Sequence, residues 1–267
     1  MNNREFLSII MPEIEKYFLR NGKGHVILEG YDYIREIITL YAKQHNLVES
    51  TLVLIDNKHN EEAYILSRSI LNNYFLIGYL IGDDKDRRRL KEYQIQPALA
   101  KKRDLDYIKK NMNRSTFKNL FKKDEIKQKI KEVTKYIEKQ GFSANTNLLS
   151  IRNLAKNSDA KGIEFYLTYY NDASKYEHSD ISSLEIYKQP IFDDISRNAA
   201  FILDMDRTDE ELAQKIYNII IFSYIQPFIK LIDIIISKEP HLKINYNVEK
   251  LINISKVIYE LLEKNNK

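Results

Sequence analysis

The chain contains no cysteine and no tryptophan among its 267 residues. Without thiols there is no disulfide framework, no thiolate zinc site and no cysteine nucleophile. Glycine and proline are scarce, at 7 and 5. A β-sandwich or barrel needs left-handed turns at most of its corners, and so few glycines do not supply them. Charge of one sign is not in excess either. Lys and Arg number 42 against 38 Asp and Glu, a formal net of +4, too little to mark a nucleic-acid-binding composition by itself. These absences leave an all-α chain as the expectation, a multi-helix bundle forming a single domain over 1–267.

No long uninterrupted apolar run is present. The segment from Met1 to Phe6 lacks the basic region followed by an apolar stretch of a secretory leader, so a cytoplasmic location is expected. Residues 65–81 and 216–236 approach the roughly 20 apolar residues of a membrane helix. The first, however, carries Arg68, Asn72 and Asn73, and the second Asn218, Gln226, Pro227, Lys230 and Asp233. Polar groups recurring at helical spacing read as buried bundle helices, and no membrane contact is expected.

What is present is helical periodicity. Phe6, Leu7, Ile10 and Ile14 open a first helix over 4–20, with Pro12 inside it. A second is expected over about 28–45. A third begins between Glu49 and Glu61 and stops at Gly82, with the acids after it starting the next helix. Residues 84–112 and 117–140 each carry a thin apolar stripe among many lysines and arginines. They read as a protruding basic helical pair, with 84–140 as a helical-hairpin subdomain. A short helix over 150–155 and a Tyr-rich helix ending near His178 come next, and Ile191 to Met205 is expected to be helical. Thr208 is positioned to cap a helix running to about Ser237 with a kink at Pro227, and 248–263 forms the last helix.

The chemistry concentrates in two stretches. Arg68 sits in a helix that is apolar nearly all round, where a guanidinium needs a partner. Asp172, Glu177 and Asp180 are the carboxylates available, or the arginine faces a polar cleft and takes a phosphate. Asn72 comes one turn later on the same side. In the Tyr-rich helix, Tyr166, Tyr170, Ser174 and His178 recur every four residues and share one face of a regular helix. His178 suits proton transfer, Ser174 is a hydrogen-bond partner, and the tyrosines offer stacking planes. The same residues equally satisfy one another between packed helices if the stripe is structural.

Other chemistries find less support. Arg20 to His25 has the arginine-to-histidine spacing of HEPN ribonucleases, but two intervening glycines break the helix that spacing needs, so the match reads as coincidence. No Gly-x-Ser-x-Gly elbow and no Gly-rich phosphate loop occur. The five histidines are scattered without His-x-x-x-His or Glu-x-x-His pairs, so neither a metal site nor a cofactor is expected.

Three segments carry a family resemblance: Leu66 to Asn72 with the aromatic-aliphatic run after it, Ser150 to Ala155, and Tyr166 to His178. Over about Glu49 to Asp180 the chain resembles a bacterial family catalogued as domain of unknown function 5677. That family's pattern has an arginine followed four residues later by a glutamate, then a Tyr, Ser, His series. Here Asn72 stands where the family has the acid. The resemblance implies an all-helical intracellular bacterial protein and brings no established activity with it.

Two functions are expected from different classes. In the first, Arg68, Asn72, Tyr166, Tyr170, Ser174 and His178 line a cleft that recognises RNA or a nucleotide. Its enzymatic form is metal-independent RNA cleavage, with His178 as general acid or base and Arg68 on the phosphate; by analogy with HEPN proteins it would belong to a bacterial defence or toxin system. In the second, the protein is a non-catalytic scaffold that docks a protein partner through 84–140. The oligomeric state is not legible.

Overall fold

The computed structural model describes residues 2–15, 32–83, 86–192, 199–204 and 208–237, together with Asn253, Lys256, Val257 and Glu260. In chain order the helices are α1 (Asn3–Ile14), α2 (Asp32–Asp56), α3 (Asn60–Ile81), α4 (Arg88–Lys110), α5 (Ser115–Leu120), α6 (Lys123–Lys139), α7 (Ile151–Ser158), α8 (Gly162–Phe165), α9 (Asn171–Glu177), α10 (Ile181–Leu184) and α11 (Glu210–Ser237). The fold is an all-α multi-helix fold with one small ribbon, β1 (Lys188–Phe192) and β2 (Ala199–Leu203), inserted before α11. Contacts divide it into two compact units: 1–82 with 154–267, and 83–153.

In the larger unit, α2, α3 and α11 pack against one another, and α3 also packs on α9. Most positions of α3 are buried, from Ala63 and Tyr64 through Ile70, Leu71, Tyr74 and Phe75 to Leu80. Burial on all sides explains why its sequence lacks a polar face. The polar residues that break up the apolar runs satisfy one another inside this core. Asn73 donates to Leu40 O at 2.6 Å and to Gln44 Oε1 at 3.0 Å. Gln44 in turn donates to Ser223 O on α11, and Tyr41 donates to Tyr224 O. Such links fix helix register where apolar packing alone would permit sliding. Among the described residues no helix is long and apolar enough to cross a membrane.

A second contact sets the spacing of α3. A Cβ on Gly78 would lie 2.7 Å from Ser158 Cβ, and one on Gly162 would lie 2.1 Å from Ser158 Oγ. Both glycines therefore admit the end of α7 at a distance that any side chain would prevent.

The unit over 83–153 is built on α4 and α6, which pack side by side. Ile95, Leu99 and Ile137 form its buried centre, with Val133, Phe142 and Leu148 packed around them. Asp83 holds the first turn of α4 from upstream, its carboxylate accepting from the backbone N–H groups of Arg89 and Leu90 at 3.0 and 3.1 Å.

Four sequence expectations need correction. α2 does not end at His45 but continues to Asp56, because Val48 and Leu52 extend its buried stripe and no glycine or proline interrupts it. The basic segment is three helices rather than two, with α5 set off as a separate short element. Residues 188–192 and 199–203 form the antiparallel ribbon, pairing Lys188 with Leu203 and Phe192 with Ala199, where a helix over 191–205 was expected. Pro190 opposes helix there, and short apolar runs such as Ala199 to Leu203 carry no period that separates strand from helix. Thr208 does not cap α11. Its hydroxyl donates to buried Glu61 at 2.9 Å, and Asp209 caps instead by accepting from Glu211 N–H. The expected helix over 248–263 lies outside the described residues except at Asn253, Lys256, Val257 and Glu260, and Arg20 to His25 lies outside them entirely.

Candidate functional site

The Tyr-rich stretch is helical but not regular. Between α8 and α9 the backbone makes a π-helical turn over Tyr166–Tyr170. A π turn inserts an extra residue into the repeat and rotates the rest of the helix relative to its start, so the four residues spaced by four do not all stay on one face. Tyr170 turns inward, 7% exposed and within ring contact of Phe75 at 6.3 Å. Tyr166 stacks on it at 5.2 Å with an interplanar angle of 17°. Ser174 donates its hydroxyl to Tyr170 O at 2.8 Å, a bond that closes the helix rather than facing a ligand. At the end of α9 the backbone N–H of His178 donates to Ser174 O, and Ser179 adopts φ 51°. His178 is thereby delivered to the surface, its side chain 71% exposed.

Arg68 finds its partner in Glu177, the last residue of α9. One guanidinium nitrogen, Nη1, pairs with Glu177 Oε2, and the guanidinium carbon stands 4.9 Å from the Tyr170 ring centroid. A planar cation on an aromatic face with one edge on a carboxylate is well compensated for partial burial. The same carboxylate oxygen lies 3.6 Å from His178 Nε2. One acid therefore joins the arginine of α3 to the histidine at the end of α9. Of the other carboxylates weighed for this role, Asp172 accepts from Tyr64 Oη at 3.0 Å and faces Lys175 and Lys215.

Two polar atoms of this region are left over. Arg68 Nε and Asn72 Oδ1 are buried and have no hydrogen-bond partner. They lie one turn apart on α3, one a donor and the other an acceptor. A carboxylate at 72 would stand one turn from the guanidinium and could accept from it; the amide found there leaves both atoms unmatched.

A second polar cluster went unnoticed in the sequence. Tyr74 donates to Asp159 Oδ2 at 2.6 Å, and Lys230 Nζ donates to the same oxygen at 2.8 Å. Burial pushes the Asp159 carboxyl up, but hydrogen bonds from Lys230 and Tyr74 outweigh it and hold the group below its ordinary range. Burial, with the bonds to Asp172 and Asp159, raises the Tyr64 and Tyr74 phenols and keeps them protonated donors. These pairs join residues far apart in sequence, so no local spacing reveals them. A cleft of about 590 Å³ opens nearby in the chain, lined among others by Lys161, Phe165, Tyr169 and Asn218, and none of the expected site residues lines it.

A model described as "Family of unknown function (DUF5677)" matches residues 36–194, well over half of the chain. The chain belongs to that family. The DUF5677 match encloses Arg68, Asn72, Tyr166, Tyr170, Ser174, Glu177 and His178, and it excludes Glu15 and α11. No curated protein and no solved structure matches the chain.

Proposed function

We propose that the Arg68, Glu177 and His178 edge of this DUF5677 protein binds the phosphate of RNA or a nucleotide, and that its enzymatic form is metal-independent RNA cleavage. The observation that supports it is the shared carboxylate: Glu177 Oε2 is paired with Arg68 and stands 3.6 Å from an exposed imidazole. A phosphate that displaces Glu177 from Arg68 meets a planar, permanently charged donor backed by Tyr170. Glu177, released, then orients His178 or stabilises its charged form. In cleavage the ribose 2′-hydroxyl attacks the adjacent phosphorus and the bond to the 5′-oxygen breaks; His178 either removes the hydroxyl proton while water protonates the leaving oxygen, or protonates the leaving oxygen while water takes the hydroxyl proton. Half-buried Tyr166, stacked on the inward-facing Tyr170 that backs Arg68, is the aromatic plane an unpaired base can reach. Such an activity suits a bacterial defence or toxin system.

The test is degradation of single-stranded RNA in the presence of a chelator by wild type, His178→Ala and Arg68→Ala. Loss of about 100-fold or more in His178→Ala with an unchanged melting temperature supports the reading; equal rates for wild type and both variants refute it.

One observation favours the second reading. The 83–153 unit leaves Tyr107, Leu120 and Tyr136 exposed at 56%, 69% and 51% among its lysines, apolar groups on a basic surface that a protein partner would cover. Under that reading Leu120→Glu abolishes partner binding and RNA is untouched by the wild type.

A further inference from the structure

Glu15 closes α1, and His45 and Glu49 lie one turn apart on α2. None of them belongs to the Arg68 site. The structure brings one donor atom from each to within 4.8 Å of the others. His45 Nε2 is 3.9 Å from Glu15 Oε2 and 3.5 Å from Glu49 Oε1. We propose that these three side chains bind a divalent transition-metal ion that ties the end of α1 to α2.

The distances suit a metal better than a shared proton. An imidazolium held by two carboxylates makes charge-assisted hydrogen bonds of about 2.7–2.9 Å, and both observed separations are longer. They match instead the spacing between neighbouring ligands of one ion, which is about 3.4 Å for tetrahedral bonds of ~2.1 Å. An ion drawn to the middle of the triad reaches all three groups by small side-chain rotations.

The surroundings of His45 fit the same role. Its side chain is 2% exposed, and its other ring nitrogen, Nδ1, is 2.7 Å from Tyr224 Oη on α11. When Nδ1–H donates to that hydroxyl, the Nε2 lone pair is turned toward the carboxylates, the arrangement that metal-ligating histidines share. Tyr224 is itself fixed by Tyr41, which stacks on it at 5.3 Å and donates to its carbonyl. Glu49 is half exposed and Glu15 a quarter exposed, so the open coordination positions lie toward solvent and an ion can enter.

Two carboxylates and one neutral imidazole make a dianionic, mixed oxygen and nitrogen set. That set takes Zn²⁺ or Mn²⁺ and discriminates against Mg²⁺, which prefers an all-oxygen octahedron. On the Irving–Williams order, Zn²⁺ binds more tightly than Mn²⁺.

The full chain, stripped with chelator and desalted, is titrated with ZnCl₂, MnCl₂ and MgCl₂ while bound metal and melting temperature are measured. The proposal predicts one Zn²⁺ per chain and a rise in melting temperature of about 5 °C or more, a smaller rise with MnCl₂ and none with MgCl₂. Glu49→Gln, at a half-exposed position, keeps the metal-free melting temperature and loses the Zn²⁺ response by at least tenfold in affinity; Glu15→Gln does the same. Failure of the wild type to bind, or an undiminished Zn²⁺ response in a Glu15→Gln, Glu49→Gln double variant, overturns it. The readout is bound metal and stability, so it stands or falls separately from RNA cleavage.

Discussion

Arg68 and Glu177 form an ion pair that carries the candidate site, since the arginine comes from the largely buried α3 and the acid from the last position of α9. The pair is neither fully buried nor open, with side-chain exposures of 21% and 38%. Under the proposed function a phosphate exchanges for the carboxylate there, whereas a sealed pair would hold its partner permanently.

Removing the acid without changing its shape tests what the pair contributes. Glu177→Gln is expected to lower stability by about 1 kcal/mol, because a partly exposed pair is screened by water. Adding Asn72→Glu returns a carboxylate one turn from Arg68, where Nε is unmatched, and should recover most of the loss. Denaturant unfolding of the single and double variants measures both steps, and the recovery should be specific: Asn72→Glu in the wild-type background gains less.

Acid should unfold the protein partly through Asp159. Its folded carboxyl is held below the ordinary value of 3.8, so the charged form binds Lys230 and Tyr74 more favourably than the unfolded chain can. That stability is present above about pH 4 and is lost as the pH falls through the ordinary value and then through the lower folded one. Asp159→Asn is expected to be less stable than wild type at neutral pH, with the gap closing below pH 3.8. Melting temperatures at intervals of roughly one pH unit, from about 2.5 to about 7, check the sign.

Close approach at Gly78 should be equally demanding. Gly78→Ala places a methyl group 2.7 Å from Ser158 Cβ, and overpacking of that kind costs about 1–3 kcal/mol. The double variant Gly78→Ala, Ser158→Gly removes the clashing atom and should be more stable than the sum of its single changes. Additive losses would mean that the helices separate without strain.

The sequence made the architecture readable where period and punctuation agree. Tyr64, Leu71 and Phe75 mark α3 as enclosed, Gly82 ends it, and the carboxylate of Asp83 holds the first turn of α4, which begins at Arg88. It misled where one local rule was outweighed by another. The second helix was expected to stop at about His45, yet Val48 and Leu52 continue the stripe of α2 to Asp56. The four-residue spacing of Tyr166, Tyr170, Ser174 and His178 implied one face, and the π turn divides it, sending Tyr170 inward and His178 outward. Arg68 was legible as a cation in need of a partner. Which carboxylate it takes was not, since Asp172 and Glu177 differ only in the tertiary contacts that claim them. Glu15 meeting His45 was beyond any motif, because a ligand supplied from another helix leaves no spacing to read.

The most direct measurement is a double-mutant cycle on RNA cleavage with Arg68→Ala, His178→Ala and the combined variant, each with its melting temperature. If the two residues serve one phosphate through Glu177, the combined loss is close to that of His178→Ala alone, as expected for groups that act as a unit. Losses that multiply independently, or a His178→Ala variant as active as wild type, would contradict a shared site.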